Sequence, residues 1–193
     1  MCKIMFKGKI RSKFFLQSLG ILLILSCTAF AQERTWETFS PDDGAWSILA
    51  PGIMNPDKEA LESSSMMGSY SYNDFSGFFA VIYRDTPKGR ILWKPFKKAH
   101  FKKVRKDFIK SNKGELLKDE KFSNGSITGR EVHIKVPDGR SIGRESQIIM
   151  KYRVQRLRMF FHDRRFYLVL AVLPEKEIDS PVINNYFNSF IVK

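Results

Sequence analysis

Phe166-Tyr167-Leu168-Val169-Leu170-Ala171-Val172-Leu173 is the most apolar segment of this 193-residue chain outside its N-terminal leader. Eight residues suit a strand, and apolar side chains at both parities mean that neither face meets water. The segment therefore reads as the central strand of a sheet covered on both sides. Gly77-Phe78-Phe79-Ala80-Val81-Ile82-Tyr83 has the same two-faced character. Helices or loops are accordingly expected on each face of the sheet.

Upstream of the central strand, His162-Asp163-Arg164-Arg165 reads as a turn and Gln147–Phe161 as a long strand. Earlier still, Glu115–Phe122 and Ile127–Val136 flank Asn124-Gly125, with a further turn expected at Pro137-Asp138-Gly139. The chain is expected to turn through Pro51-Gly52 and Pro56, and Met66–Tyr72 alternates loosely as a strand. Trp36–Phe39 and Trp46–Leu49 enclose Pro41-Asp42-Asp43-Gly44, a hairpin signature.

Helical periodicity occurs over Pro95–Ser111, where Phe96, His100, Val104 and Phe108 follow Leu92 at four-residue steps, with Ala99 and Phe101 beside them. Lys113-Gly114 supplies the stop. Near the C-terminus, Ser180 can cap a short helix with Pro181 at its first position, running to about Ser189. The expected fold class is α+β: an antiparallel sheet of about six to eight strands carrying one long and one short helix.

The leader has a different logic. Lys3, Lys7, Lys9, Arg11 and Lys13 form a basic head, Phe14–Leu25 an apolar run, and Ala29-Phe30-Ala31 a small-x-small cleavage site. This is the pattern of a secretory signal peptide. Its uninterrupted apolar core is far shorter than the roughly 20 residues of a spanning helix. Residues 1–31 are thus expected to be removed and residues 32–193 to form one exported domain, periplasmic or extracellular. Ile24-Leu25-Ser26-Cys27 offers a second reading, a lipobox in which Cys27 takes a lipid anchor.

Cys2 and Cys27 are the only cysteines, so residues 32–193 have neither a disulfide framework nor a thiol nucleophile. Five of the 33 basic residues lie in the head and none of the 20 acidic ones does, leaving a formal charge of +8 on residues 32–193. Such a surface favours an anionic lipid surface, acidic glycans or an acidic envelope protein. No RNA or DNA motif accompanies it, so specific nucleic-acid binding is not expected.

Several short motifs carry a resemblance. Phe39-Ser40-Pro41, Trp46-Ser47-Ile48, Pro51-Gly52, Tyr83-Arg84-Asp85-Thr86-Pro87, Gly129-Arg130-Glu131, Arg165-Phe166-Tyr167 and Phe187-Asn188-Ser189-Phe190 follow in that order. The series resembles exported bacterial proteins similar to the PsbP-like superfamily, across nearly all of residues 32–193. The resemblance implies an antiparallel sheet with helices packed on it, serving as a scaffold for binding rather than catalysis. No motif here matches the metal-binding or photosystem-docking features of the superfamily's namesake, so no catalytic or metal residue carries over.

The residues themselves offer little chemistry. GxSxG, HExxH, CxxC and phosphate-loop patterns are missing. His100, His133 and His162 are dispersed, and His162-Asp163 is explained by turn formation. Asp119-Glu120 lies between Lys118 and Lys121, a poor setting for a divalent cation. Arg130 and Glu131 must point to opposite faces of a strand, which favours cross-strand charge pairing, with Gly129 admitting a neighbouring element. No cofactor is implied.

The positive signal is the long helix. Lys94, Lys97, Lys98, Lys102, Lys103, Arg105, Lys106 and Lys110 are opposed only by Asp107. Cations in a first helical turn oppose the helix dipole by about 0.3 kcal/mol or more each. Lys98 and Lys102, like Lys102 and Lys106, add i,i+4 repulsion. A sequence shaped for stability alone would include Glu, so this face is the expected site for an anionic partner. Arg156, Arg158, Arg164 and Arg165 form a second basic group on the hairpin, with Arg153 on the other strand face. The expected function is a non-enzymatic binding or accessory protein of the envelope. The alternatives are an enzyme with a nonstandard Asp/Glu/His/Tyr site, and a structural envelope protein exposing Phe78, Phe79 or Phe101.

Overall fold

The structure, a computed structural model, describes residues 35–56, 68–74, 77–86, 94–142 and 148–193. Residues 1–31, expected to be a signal peptide, together with Cys27 and Leu92, lie outside the described residues. In chain order the elements are β1 (Glu37–Phe39), β2 (Trp46–Ala50), β3 (Asn55–Pro56), β4 (Gly68–Asn73), β5 (Phe78–Asp85), α1 (Lys94–Ser111), β6 (Glu115–Asn124), β7 (Ile127–Ile142), β8 (Ile148–His162), β9 (Arg165–Leu173), a 3-10 turn (Glu175–Glu177), α2 (Pro181–Asn188) and β10 (Ile191–Val192).

Seven strands form one antiparallel sheet in the order β3-β4-β5-β9-β8-β7-β6, with β9 at its centre. The apolar run at Phe166–Leu173 occupies the position its composition demands. Tyr167, Val169, Ala171 and Leu173 pack on one face with Tyr186, Phe187 and Ile183 of α2. Phe166, Leu168 and Leu170 pack on the other with Phe96, Phe101, Val104 and Phe108 of α1. Each fully buried Val, Leu, Ile or Phe among them contributes about 2 kcal/mol by leaving water. β5 divides likewise, and Phe79 is fully buried while Phe78 is half-buried. Of the three phenylalanines named above, Phe79 is thus buried, and Phe78 and Phe101 are half-buried.

A smaller three-stranded sheet, β1-β2-β10, closes over the α2 face. The hairpin around Gly44 forms as expected, with Phe39 opposite Ile48 and Gly44 at φ 61°. The C-terminal pair Ile191–Val192 is too short to read as a strand locally, and exists because it pairs with Ser47 and Trp46. The motifs that carry the resemblance converge here. The Trp46 ring stacks on Phe190 at 5.5 Å, and Tyr83 lies 6.2 Å from both Trp46 and Tyr167, whose ring is 5.5 Å from Phe190. Those residues build the core under the small sheet.

α2 begins and α1 ends on the expected signals. Ser180 caps α2 by accepting from the Ile183 N–H, and Pro181 is its first residue. At the end of α1, Lys113 takes a left-handed φ of 49°. Lys113 N–H bonds to Lys110 C=O and Gly114 N–H to Ile109 C=O, the Schellman pattern.

Three expectations need correction. Pro137-Asp138-Gly139 is not a turn: β7 runs through it to Ile142, with Pro137 opposite Tyr152 and Gly139 opposite Lys151. Asp138 is thus the extra residue of a bulge, and Gly139 at φ 123° absorbs the bend. Pro56 lies in β3, at the sheet's edge, where a missing N–H costs least. Ala99 is exposed rather than on the apolar face of α1.

Candidate functional site

The stripe of α1 beside its apolar face overlooks the outer strands β6 and β7, and the two enclose a cleft of about 800 Å³. Helical spacing places Lys97, Lys98, Lys102 and Arg105 along one wall, while Lys121 and Arg130 project from the strands. The floor is apolar, with Val132, Met159 and Phe161 from the sheet and Phe101 from α1, while Phe122 borders it from β6 with its ring turned to the other face, under Arg158 and beside Phe160. Ser123, Thr128 and Gly129 complete the lining.

Asp119 is the acidic group in this lining, and it is already engaged. Its carboxylate pairs with Arg105 and accepts from Arg130 Nε at 2.8 Å, and its carbonyl accepts from Arg130 Nη2 at 3.0 Å. Two guanidinium groups are held in place in this way. Lys97 lies over the Phe161 ring at 5.7 Å. Among the described residues no carboxylate pairs with Lys98, Lys102 or Lys121, all of which are exposed. The wall therefore has more positive charge than it neutralises.

Of the eight basic helix residues singled out in the sequence, four line the cleft. Lys103, Lys106 and Lys110 are exposed on α1 outside it, and Lys94 is the first helical residue. Lys121 and Arg130, together with the apolar floor, were missed as site residues. They lie on strands distant in sequence from α1, and nothing local to them signals a cleft.

The hairpin arginines do not form a surface patch. Arg156 and Arg158 are 3% and 9% exposed, under α2 on the face of the sheet opposite α1. β7 places Glu131 opposite Arg158 and His133 opposite Arg156. Glu131, 3% exposed, accepts from Arg158 Nε at 2.5 Å and pairs with Arg156 Nη2 at 3.0 Å. His133 Nε2 lies 3.2 Å from the same carboxylate. Arg156 also donates to the Ile178 carbonyl and Asn184 Oδ1, and Arg158 to Asn188 Oδ1. Both guanidinium groups lie over the Phe187 ring. Burial works to raise the Glu131 pKa, yet hydrogen bonds from His133 and Arg158 and the charge of Arg156 hold it well below the usual carboxylate range. This cluster fastens α2 to the sheet.

Arg165 belongs to another lock. It donates to Asp85, its cross-strand partner, at 2.8 Å and lies over the Tyr83 ring at 4.6 Å. Burial, with help from Tyr70 and Asp43, pushes the Tyr83 pKa up to about 12. Arg164 is exposed in the turn, where its carbonyl accepts from the Thr86 hydroxyl at 2.6 Å.

The three histidines stay apart. His100 packs edge-on to Phe166 at 4.6 Å, and burial first, then Arg84 and Lys103, lower its pKa. His133 is committed to Glu131. His162 lies 3.6 Å from the exposed Asp163. Among the described residues no group of three or more His, Cys, Asp or Glu could hold a metal ion. No helix among them is long and apolar enough to cross a membrane.

No family model matches the chain, and no curated protein matches it. Solved structures do. The solution structure of cyanobacterial PsbP (CyanoP) from Synechocystis is 13% identical, with a TM-score of 0.57 over 83% of this chain and 94% of that one. A protein from Bacteroides thetaiotaomicron is 12% identical at TM-score 0.42, covering 82% of this chain and 48% of that one. The Ran-binding protein Mog1p of Saccharomyces cerevisiae is 12% identical at TM-score 0.44, covering 82% and 96%. The first of these establishes that the fold is PsbP-like α+β, as the ordered motifs implied. At such identity the likeness concerns fold and carries no ligand with it.

Proposed function

We propose that this chain is an exported, non-enzymatic binding domain of the cell envelope, and that the cleft between α1 and β6–β7 takes an anionic partner. The observation that carries the reading is the imbalance at that cleft: six cations surround it, and its acidic residue, Asp119, is held between two of them. Lys97 and Lys98 near the start of α1 run against the helix dipole, which a role in binding explains. Export rests on the basic head, apolar run and Ala29-Phe30-Ala31 of the leader. Cys27 as a lipid anchor remains the alternative route to the same compartment. The absence of a catalytic motif and the separation of the three histidines favour binding over chemistry.

The test is capture from envelope extract with the full chain at low and physiological salt. It runs beside a cleft variant, Lys98→Gln/Lys102→Gln/Lys121→Gln, and an outer-face variant, Lys103→Gln/Lys106→Gln/Lys110→Gln. An anionic partner retained at low salt, released as salt rises and lost only from the cleft variant is the expected result. Retention that ignores salt, or equal capture by parent and cleft variant, overturns the reading.

A further inference from the structure

We infer that the ligand of this cleft is a small amphipathic anion, an apolar chain or ring bearing one carboxylate or phosphate, with its head among the lysines and its body on the phenylalanine floor; this rests on the proposed anion-binding cleft and specifies its occupant. The volume, about 800 Å³, lies within the roughly 300–1,000 Å³ of small-molecule sites. Its two surfaces make different demands. Val132, Met159 and Phe161 are buried in the floor, and Phe101 is half-buried at its side. A hydrophilic ion seated there would leave that apolar surface wet. A neutral apolar ligand would cover the floor but desolvate Lys98, Lys102 and Lys121 with nothing to balance them. Only a ligand with both parts satisfies both surfaces.

The lining also limits the body of the ligand. Apart from the cations and Asp119, its side-chain polar groups are the hydroxyls of Ser123 and Thr128. A sugar or nucleoside, with many hydroxyl and ring donors, would leave most of them unpaired over phenylalanine and methionine. Asp119 fixes Arg105 and Arg130, so the mobile charges left for the head group are lysine ammoniums. These act as point charges and accept carboxylate or phosphate alike.

The experiment titrates the full chain with dodecanoate and with dodecyl phosphate, each kept below micelle formation. Acetate, inorganic phosphate and dodecyl maltoside serve as head-only and neutral controls. The Met159 methyl resonance reports on the floor, and calorimetry gives affinities for the variants. The expected result is a shifted Met159 methyl with one or both alkyl anions and none with the controls. Dodecanoate alone would assign a carboxylate ligand, and dodecyl phosphate alone a phosphate.

Lys98→Gln/Lys102→Gln/Lys121→Gln should weaken binding at least about tenfold, the loss of roughly 1.4 kcal/mol. Ser123→Trp fills the cleft from an exposed strand position while keeping all six cations of the lining, and should abolish it. Equal binding of dodecyl maltoside, no shift at Met159, or alkyl-anion binding indifferent to Ser123→Trp overturns the inference. Should that happen while envelope capture remains salt-sensitive and dependent on the cleft lysines, the anionic-partner reading survives and only the ligand class is wrong.

Discussion

Arg130 and Glu131 are adjacent in β7 yet serve opposite sides of the molecule: Arg130 binds Asp119 beside α1, and Glu131 binds Arg158 beneath α2. The pleat alone separates them, because successive side chains leave a strand on opposite faces. One residue lines the cleft beside α1 and its neighbour fastens α2. Disruption of the two should therefore have different consequences.

Glu131→Gln is expected to destabilise the domain by about 3–5 kcal/mol, since it leaves Arg156 and Arg158 buried without their carboxylate. Total stabilities of domains are about 5–15 kcal/mol, so the variant should lie near the edge of folding. Urea unfolding followed by circular dichroism measures it. A change within about 0.5 kcal/mol would mean that α2 does not depend on this cluster.

The same carboxylate should make the protein acid-labile. Its folded pKa is lowered relative to the ordinary 4.5, so its stabilisation is complete above pH 4.5 and is lost as the pH falls below that value. Urea midpoints recorded from neutral pH down to about pH 3 should fall at the acid end. Glu131→Gln should show a shallower acid slope than the parent, and parallel slopes would remove Glu131 as the cause.

His100 acts in a higher window. Burial, Arg84 and Lys103 hold its pKa below 6.5, so the unfolded chain takes up its proton first and stability declines as the pH drops below 6.5. Replacement by Gln, which carries no titrating charge, should flatten the profile just below pH 6.5. A parent profile level through that window would contradict the buried, neutral state of the ring.

Gly129→Ala tests close packing. A Cβ at Gly129 would come within 2.1 Å of the Met159 carbonyl and 2.7 Å of the Phe122 ring, so β7 and β8 must part. A loss of about 1–3 kcal/mol is expected. Gly125→Ala meets nothing within 4 Å and is strained only by its φ of 58°, which should cost about 1 kcal/mol. Thermal melts of the pair should place the Gly129 variant lower; the reverse order would show that the backbone there can relax.

The cleft lysines should behave in the opposite way. Lys98→Gln/Lys102→Gln/Lys121→Gln removes exposed charges and the i,i+4 repulsions of Lys98 with Lys102 and of Lys102 with Lys106, so stability should hold or rise by a few tenths of a kcal/mol. A melting temperature several degrees below the parent would mark these side chains as structural.

Much of the architecture was legible because it follows from local periodicity. Two-faced apolarity identified β9 and β5, four-residue spacing identified α1, and Ser180-Pro181 identified the start of α2. Local reading failed where a partner supplied the reason. Pro137-Asp138-Gly139 has the composition of a turn, but β8 continues alongside and makes it a bulge. Ile191–Val192 is a strand only because β2 lies open beside it.

The charges divide along the same line. Residue order alone established that α1 is basic and that Arg130 and Glu131 face apart, because helical and strand periods are properties of the chain. Which cations remain available to a ligand was settled by register and layer. Arg156 and Arg158 lie under α2 because β7 aligns Glu131 with them, whereas Lys121 and Arg130 reach the α1 cleft because β6 and β7 form the edge beside that helix. Electrostatic pairing depends on distance through space and on burial, and neither exists until the sheet has assembled.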